Sequence, residues 1–182
     1  MIVLHNKRTV FVSTAKAGTH TIFRILKALG GVQQDGRFHR KAIPAECNIQ
    51  GWRVVTCVRN PYTRAVSAWW HLTHREPVYD LWPTFDIFLD FLVAGDYAAV
   101  VGNLACVPQA EWLADVPYDF AMHLETLASD LRLLGLWPGT EPLPHEHHTP
   151  YETPELTPAR RRKIEQWAAA DFETFGYDMV TP

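Results

Sequence analysis

Cysteine is scarce: Cys47, Cys57 and Cys106 are the three in 182 residues. Their number is odd and no pair has CxxC spacing. That argues against a disulfide framework or a thiolate zinc site and fits a reducing compartment. No apolar run reaches the roughly 18–20 residues that a membrane-spanning helix needs. The opening MIVLHNKRTVFVS has no long apolar segment after a basic start, so no signal peptide is expected and the location expected is cytoplasmic. Charge of one sign is not in excess either. The formal net charge is -3, which gives no bulk attraction to nucleic acid or to an anionic membrane, so any anion site must be local. There is no internal repeat and no linker, and the length favours a single domain, 1–182. What the chain has in quantity is tryptophan (seven) and proline (thirteen). These fit wide irregular connections, with the indoles lining a cleft or simply filling the core.

Apolar periodicity supplies the elements. Residues 9–14, TVFVST, and 52–58, WRVVTCV, are short β-branched runs and read as buried strands. YDFAMHL, 118–124, reads as a third strand. Helices are expected over 19–30, 61–74, 84–94, 125–135 and 157–172. Pro61 and Pro158 suit first helical positions, and Thr157 suits an N-cap. The stretches 31–46 and 96–117 are ambiguous. Strands alternating with helices, each strand a continuous apolar run, predict an α/β fold with a parallel sheet covered on both faces. Ligands of such sheets bind outside the carboxyl ends of the strands.

Two of those ends carry chemistry. The first is STAKAGTHT, Ser13 to Thr21. Gly18 allows close backbone approach, the following helix presents N–H groups and the positive end of its dipole, and Lys16 adds a mobile charge. Thr19 and Thr21 add hydroxyls. A surface lysine in a tight turn is the plain alternative. The order is not GxxxxGK[ST], because this glycine follows the lysine. The second is CVRNPYTRAVSAWW, Cys57 to Trp70. Arg59 leaves the end of a buried strand, where a charge needs a partner. Arg59 and Ser67 can converge on one phosphate, as fork and hydroxyl donor. Alternatively Arg59 pairs with a carboxylate and Ser67 packs. A Walker-type nucleotide triphosphatase carries an Asp that helps hold magnesium at the end of a neighbouring strand. Arg59 occupies that position here, and a cationic end suits a metal-free phosphate ligand.

TAKAGTHTIF resembles the 5′-phosphosulfate loop of sulfotransferases, and CVRNPYTRAVSAWW resembles their 3′-phosphate motif, R-[ND]-P-[YF]-x-R-x-x-S, at every position. YDFAMHLETLASDLRLLGL and AAADFETFGY are similar to later segments of the same family. The likeness spans most of the chain and is nearest to the carbohydrate-directed and bacterial branch. Ala15 stands where the family has proline, and His20 where it often has a second hydroxyl residue. The chain is also short for the family, which leaves the acceptor open.

The resemblance implies a three-layer sandwich of the P-loop-like sulfotransferase fold. It further implies transfer of a sulfuryl group from 3′-phosphoadenosine 5′-phosphosulfate (PAPS) to a hydroxyl of a saccharide or small metabolite, leaving the bisphosphate PAP. Lys16 would stabilise charge on the bridging oxygen. Lys16, Ala17, Gly18, Thr19, His20 and Thr21 would hold the 5′ side, and Arg59 with Ser67 the 3′-phosphate. No metal is expected as cofactor. His39 is the candidate base and Glu46 the weaker one, by their place before the second motif. His71 and His74 read as surface residues. HEHH, His145 to His148, has irregular spacing for a metal and sits where the family has a loop over the nucleotide. RRRK, Arg160 to Lys163, opposes the dipole of the last helix. It is either a solvated face or a contact for an anion. A kinase-type phosphotransferase and a non-catalytic nucleotide-binding module are the competing functions.

Overall fold

Ile2–Leu4 forms β1, a strand that periodicity passes over because it has only three residues. A 3₁₀ turn at His5–Lys7 and a left-handed Arg8 (φ 45°) reverse the chain. It returns as β2, Thr9–Ser13, antiparallel to β1 with Ile2 opposite Phe11. Helix α1 is Thr19–Ala28. Gly31 then lets the chain pass close to the sheet: a Cβ there would lie 2.8 Å from Ile2 Cγ2 and 2.9 Å from Leu4 Cδ1. β3, Val32–Gln33, pairs antiparallel with β1. β4, Arg53–Val58, lies parallel to β2, and β5, Phe120–His123, lies parallel to β4. The structure, a computed structural model, describes residues 1–34, 43, 49–74, 81–95, 104–139, 142–144 and 153–180.

The fold is therefore α/β, with a five-stranded sheet in the order β3-β1-β2-β4-β5. The expected parallel sheet is found in β2, β4 and β5, and is corrected towards the other edge: β1 runs opposite to both of its neighbours, β2 and β3. The reason is local. A three-residue turn cannot carry the chain back for a parallel crossover, so β1 and β2 can only form a hairpin.

The chain divides into two compact units, Met1–Arg59 with Trp112–His148, and Asn60–Glu111 with Thr149–Pro182. In the first, Ile2, Leu4, Phe11, Val55, Cys57 and Met122 share one face of the sheet. They pack with Ile22 and Leu26 of α1 and with Leu127 and Leu131 of α5, Leu127–Leu133. The expected helix at 125–135 starts as a 3₁₀ turn, Leu124–Thr126, before α5. On the opposite face Val10, Val12, Thr56 and Val58 are also fully buried.

The second unit is helical. It holds α2 (Pro61–His74), α3 (Phe85–Ala94), α6 (Pro158–Trp167) and α7 (Ala169–Phe175). The helix expected over 157–172 is broken at Ala168 (φ −111°, ψ 27°). The break lets Asp171 act as a distant cap for α4, Gln109–Leu113. Its carboxylate is fully buried and accepts from Gln109 N (3.0 Å), Gln109 Nε2 (3.2 Å) and Ala110 N (2.7 Å). Asp171→Ala leaves those donors unsatisfied, and a loss of about 2–3 kcal/mol is expected. Chemical denaturation measures it, and a midpoint equal to that of the native chain contradicts this role.

Candidate functional site

The register of the parallel strands sets the site. Ser13 pairs with Cys57, and Val58 pairs with His123, so β2, β4 and β5 end at one edge. Just beyond β2, the buried Thr14 hydroxyl donates to the Cys57 carbonyl at 2.6 Å. That bond extends the β2–β4 pairing past the last strand residue and fixes where the loop begins. Lys16 then adopts φ 67° and Gly18 φ 71°. A left-handed conformation costs a residue with a Cβ roughly 1–2 kcal/mol, so Lys16 is held there against its own preference. Gly18 precedes the first residue of α1, and Ile22 N donates to its carbonyl at 3.1 Å. The first N–H groups of α1 have no acceptor within the helix.

Arg59, half-buried and directly after β4, donates from Nη1 to the Lys16 carbonyl at 3.4 Å. The guanidinium of the second motif thus reaches the backbone of the first. The turn after β5 also meets this loop: a Cβ on Gly18 would lie 2.6 Å from Leu124 Cδ1. Asp130 Oδ2 organises that turn, accepting from His123 N (2.8 Å) and Thr126 Oγ1 (3.0 Å). Burial, then the Glu125 and Asp130 carboxylates, push the Cys57 thiol well above its ordinary range. It is neutral and packed, not a nucleophile.

Of the residues singled out by sequence, Lys16, Ala17, Gly18, Thr19, His20, Thr21 and Arg59 come together here. Lys16 and Thr21 are half-buried and His20 is exposed. Thr19 is buried, and its hydroxyl donates to the Thr14 carbonyl at 3.0 Å. Its proton braces the loop from inside, so a ligand would meet the Thr19 amide first. His123, a polar residue near the end of the apolar run YDFAMHL, also stands at this edge, and its position beside Val58 needs the strand register to be seen.

Ser67 belongs to the second unit. It is buried on α2. The helix starts at Pro61 as expected, and Asn60 precedes it. Its side chain accepts from Tyr62 N (3.0 Å), its carbonyl accepts from Arg64 N (2.9 Å), and Pro61 takes the first turn. Arg64, which the spacing places on the Ser67 face, is 1% exposed. It donates to the Val107 carbonyl at 2.7 Å and lies over the Trp167 ring at 5.3 Å. Tyr62 donates to Glu165, while Val180 N donates to the Tyr62 oxygen at 3.1 Å. Burial, then that bond, push the phenol up from its ordinary range.

The basic run 160–163 has partners. Arg160 forms a two-point bond with Asp86 (2.9 and 2.6 Å), and Lys163 pairs with Asp90, one turn further along α3. The Arg160 bond holds the Asp86 carboxyl below the usual carboxylate range. Carboxylates of α3 thus offset the unfavourable dipole of α6, and only Arg162 of the three arginines is exposed. His74 is exposed and stacks on Trp70 at 4.7 Å. His39, Glu46 and His145–His148 lie outside the described residues. Among the described residues no group of three or more His, Cys, Asp or Glu is placed to hold a metal ion, and no helix is long and apolar enough to cross a membrane.

Comparison of the chain with protein-family models, with curated proteins and with solved structures returned no match.

Gly18→Ala introduces a Cβ at a positive φ and against Leu124. A stability loss of about 1–2 kcal/mol is expected from the backbone term. Denaturant titration reads it, and an unshifted midpoint means that the loop relaxes at no cost.

Proposed function

We propose that the chain is a sulfotransferase of the three-layer, P-loop-like kind, moving a sulfuryl group from PAPS to a hydroxyl of a saccharide or small metabolite. The observation that carries this is the meeting of the two phosphate-type turns: Arg59 Nη1 bonds the carbonyl of Lys16, at the carboxyl edge of adjacent parallel strands. A magnesium-binding carboxylate is replaced there by a guanidinium, which suits an anion carrying its charge without a metal.

In this scheme the acceptor oxygen attacks sulfur in line and negative charge grows on the oxygen that bridges sulfur to the 5′-phosphate. Lys16 and the first N–H groups of α1 stabilise that charge. Ala17, Gly18 and Thr19 contribute backbone amides, while His20 and Thr21 contribute side chains. Arg59 and Ser67 take the 3′-phosphate, the feature that separates PAPS from common adenine nucleotides. The acceptor proton leaves to a base, with His39 and then Glu46 as candidates. No step in this scheme requires a metal.

Thermal stabilisation by PAP, compared with ADP and ATP, tests the proposal. A ligand at a hundredfold excess over its Kd raises stability by about 2.7 kcal/mol. A clear shift with PAP and little with ADP is expected, and Arg59→Ala abolishes the preference. Lys16→Ala slows transfer far more than it weakens PAP binding. Equal shifts from PAP and ADP count against the 3′-phosphate assignment, and magnesium-dependent ATP turnover without PAP affinity favours a kinase.

A further inference from the structure

The carboxyl edge has a third strand, and the scheme above leaves its end unused. We propose that His123 is a ligand contact, its imidazole donating a hydrogen bond to an anionic oxygen of the ligand held by the Lys16 loop. This rests on the anion-binding reading of that loop.

Three observations carry it. First, His123 pairs with Val58 in the parallel β4–β5 register, so it sits one residue short of the level of Arg59. Second, the next residue, Leu124, packs where a Gly18 side chain would be, so the turn that His123 opens lies against the loop carrying Lys16. Third, the backbone at His123 is held in place: its N–H donates to Asp130 Oδ2, and Thr126 donates to the same oxygen. The residue is half-buried, not a fully solvated surface histidine. In open parallel sheets, side chains at consecutive strand ends line the crevice where ligands bind. β2 and β4 each deliver a cationic residue to that crevice, and β5 delivers a ring with an N–H donor in either tautomer. Arg59 follows Val58 directly, and Glu125 and Asp130 stand on the histidine's own turn and helix, so the edge holds charges of both signs. A donor that can also accept suits such a place better than another fixed cation.

Affinity for PAP, measured by calorimetry on the full chain, tests the contact in His123→Ala and His123→Gln. A hydrogen bond to a charged group predicts a loss of about tenfold for alanine. Glutamine keeps an N–H donor and should recover most of it, to within about threefold of the native chain. A merely structural role would lower the melting temperature and leave no donor-dependent rescue. The imidazole proton resonances that vanish in His123→Gln should shift when PAP is added to the native chain. Inorganic pyrophosphate, titrated in parallel, separates this contact from the sulfotransferase proposal. If pyrophosphate binds, PAP binds no better, and the alanine change still weakens binding, the contact stands and the PAPS assignment falls. If PAP binds the native chain and both variants alike, with no ring shift, the contact is overturned and the PAPS assignment survives. If neither anion binds the native chain, both are overturned.

Discussion

Parallel pairing of β2 with β4 is the constraint on which the candidate site depends. Five consecutive residue pairs, Thr9 with Arg53 through Ser13 with Cys57, leave no freedom in where the two strands stop. A slip of one residue would turn Phe11 and Val55 away from the core, so burial itself enforces the register. The Thr14 hydroxyl bond to the Cys57 carbonyl carries the alignment one residue further, to the first atom of the loop. Everything chemical follows from that alignment. Lys16 and Arg59 are 43 positions apart in sequence, yet the backbone of one accepts a hydrogen bond from the side chain of the other.

The same logic explains why the loop holds strain. Lys16 at φ 67° is conformationally costly, and the surroundings must over-determine it. Three contacts do so: Arg59 on the Lys16 carbonyl, Leu124 packed against Gly18, and Thr19 bonded back to Thr14. Each comes from a different direction, from β4, from the turn after β5, and from α1. A loop braced on three sides approaches a ligand with its amides already oriented, which spares the ordering cost on binding. The Thr19 hydroxyl is the clearest case. Sequence reading counts it as a ligand donor, but in the fold its proton secures the loop by donating to the Thr14 carbonyl.

Much of the fold was legible because it rests on local patterns. TVFVS, RVVTCV and the 61–74 helix were recovered almost to the residue. The first two are unbroken β-branched runs, and the third begins with Asn-Pro, whose capping geometry is chemical and local. What was not legible is tertiary. β1 is three residues long and draws its stability from β2 and β3, not from any periodicity of its own. The break at Ala168 contradicts propensity, since alanine is the best helix former. It exists because Asp171 must reach the amides of Gln109 and Ala110, some sixty residues earlier. Likewise 160–163 reads as an exposed basic run, until Asp86 and Asp90 are found one turn apart on α3 with the spacing to match Arg160 and Lys163.

Those ion pairs bear on how charge is distributed for function. With Arg160 and Lys163 committed to carboxylates, and Arg64 buried on backbone carbonyls against Trp167, three conspicuous cations of the second unit serve its packing. In the first unit Arg59 donates to the Lys16 carbonyl, and Lys16 sits half-buried in the loop that opens α1. An overall net charge of -3 therefore coexists with a strand edge that gathers Lys16 and Arg59 together with Glu125 and Asp130. Charge of both signs at that edge makes the strand register, and not the net charge, what decides which cation faces which neighbour.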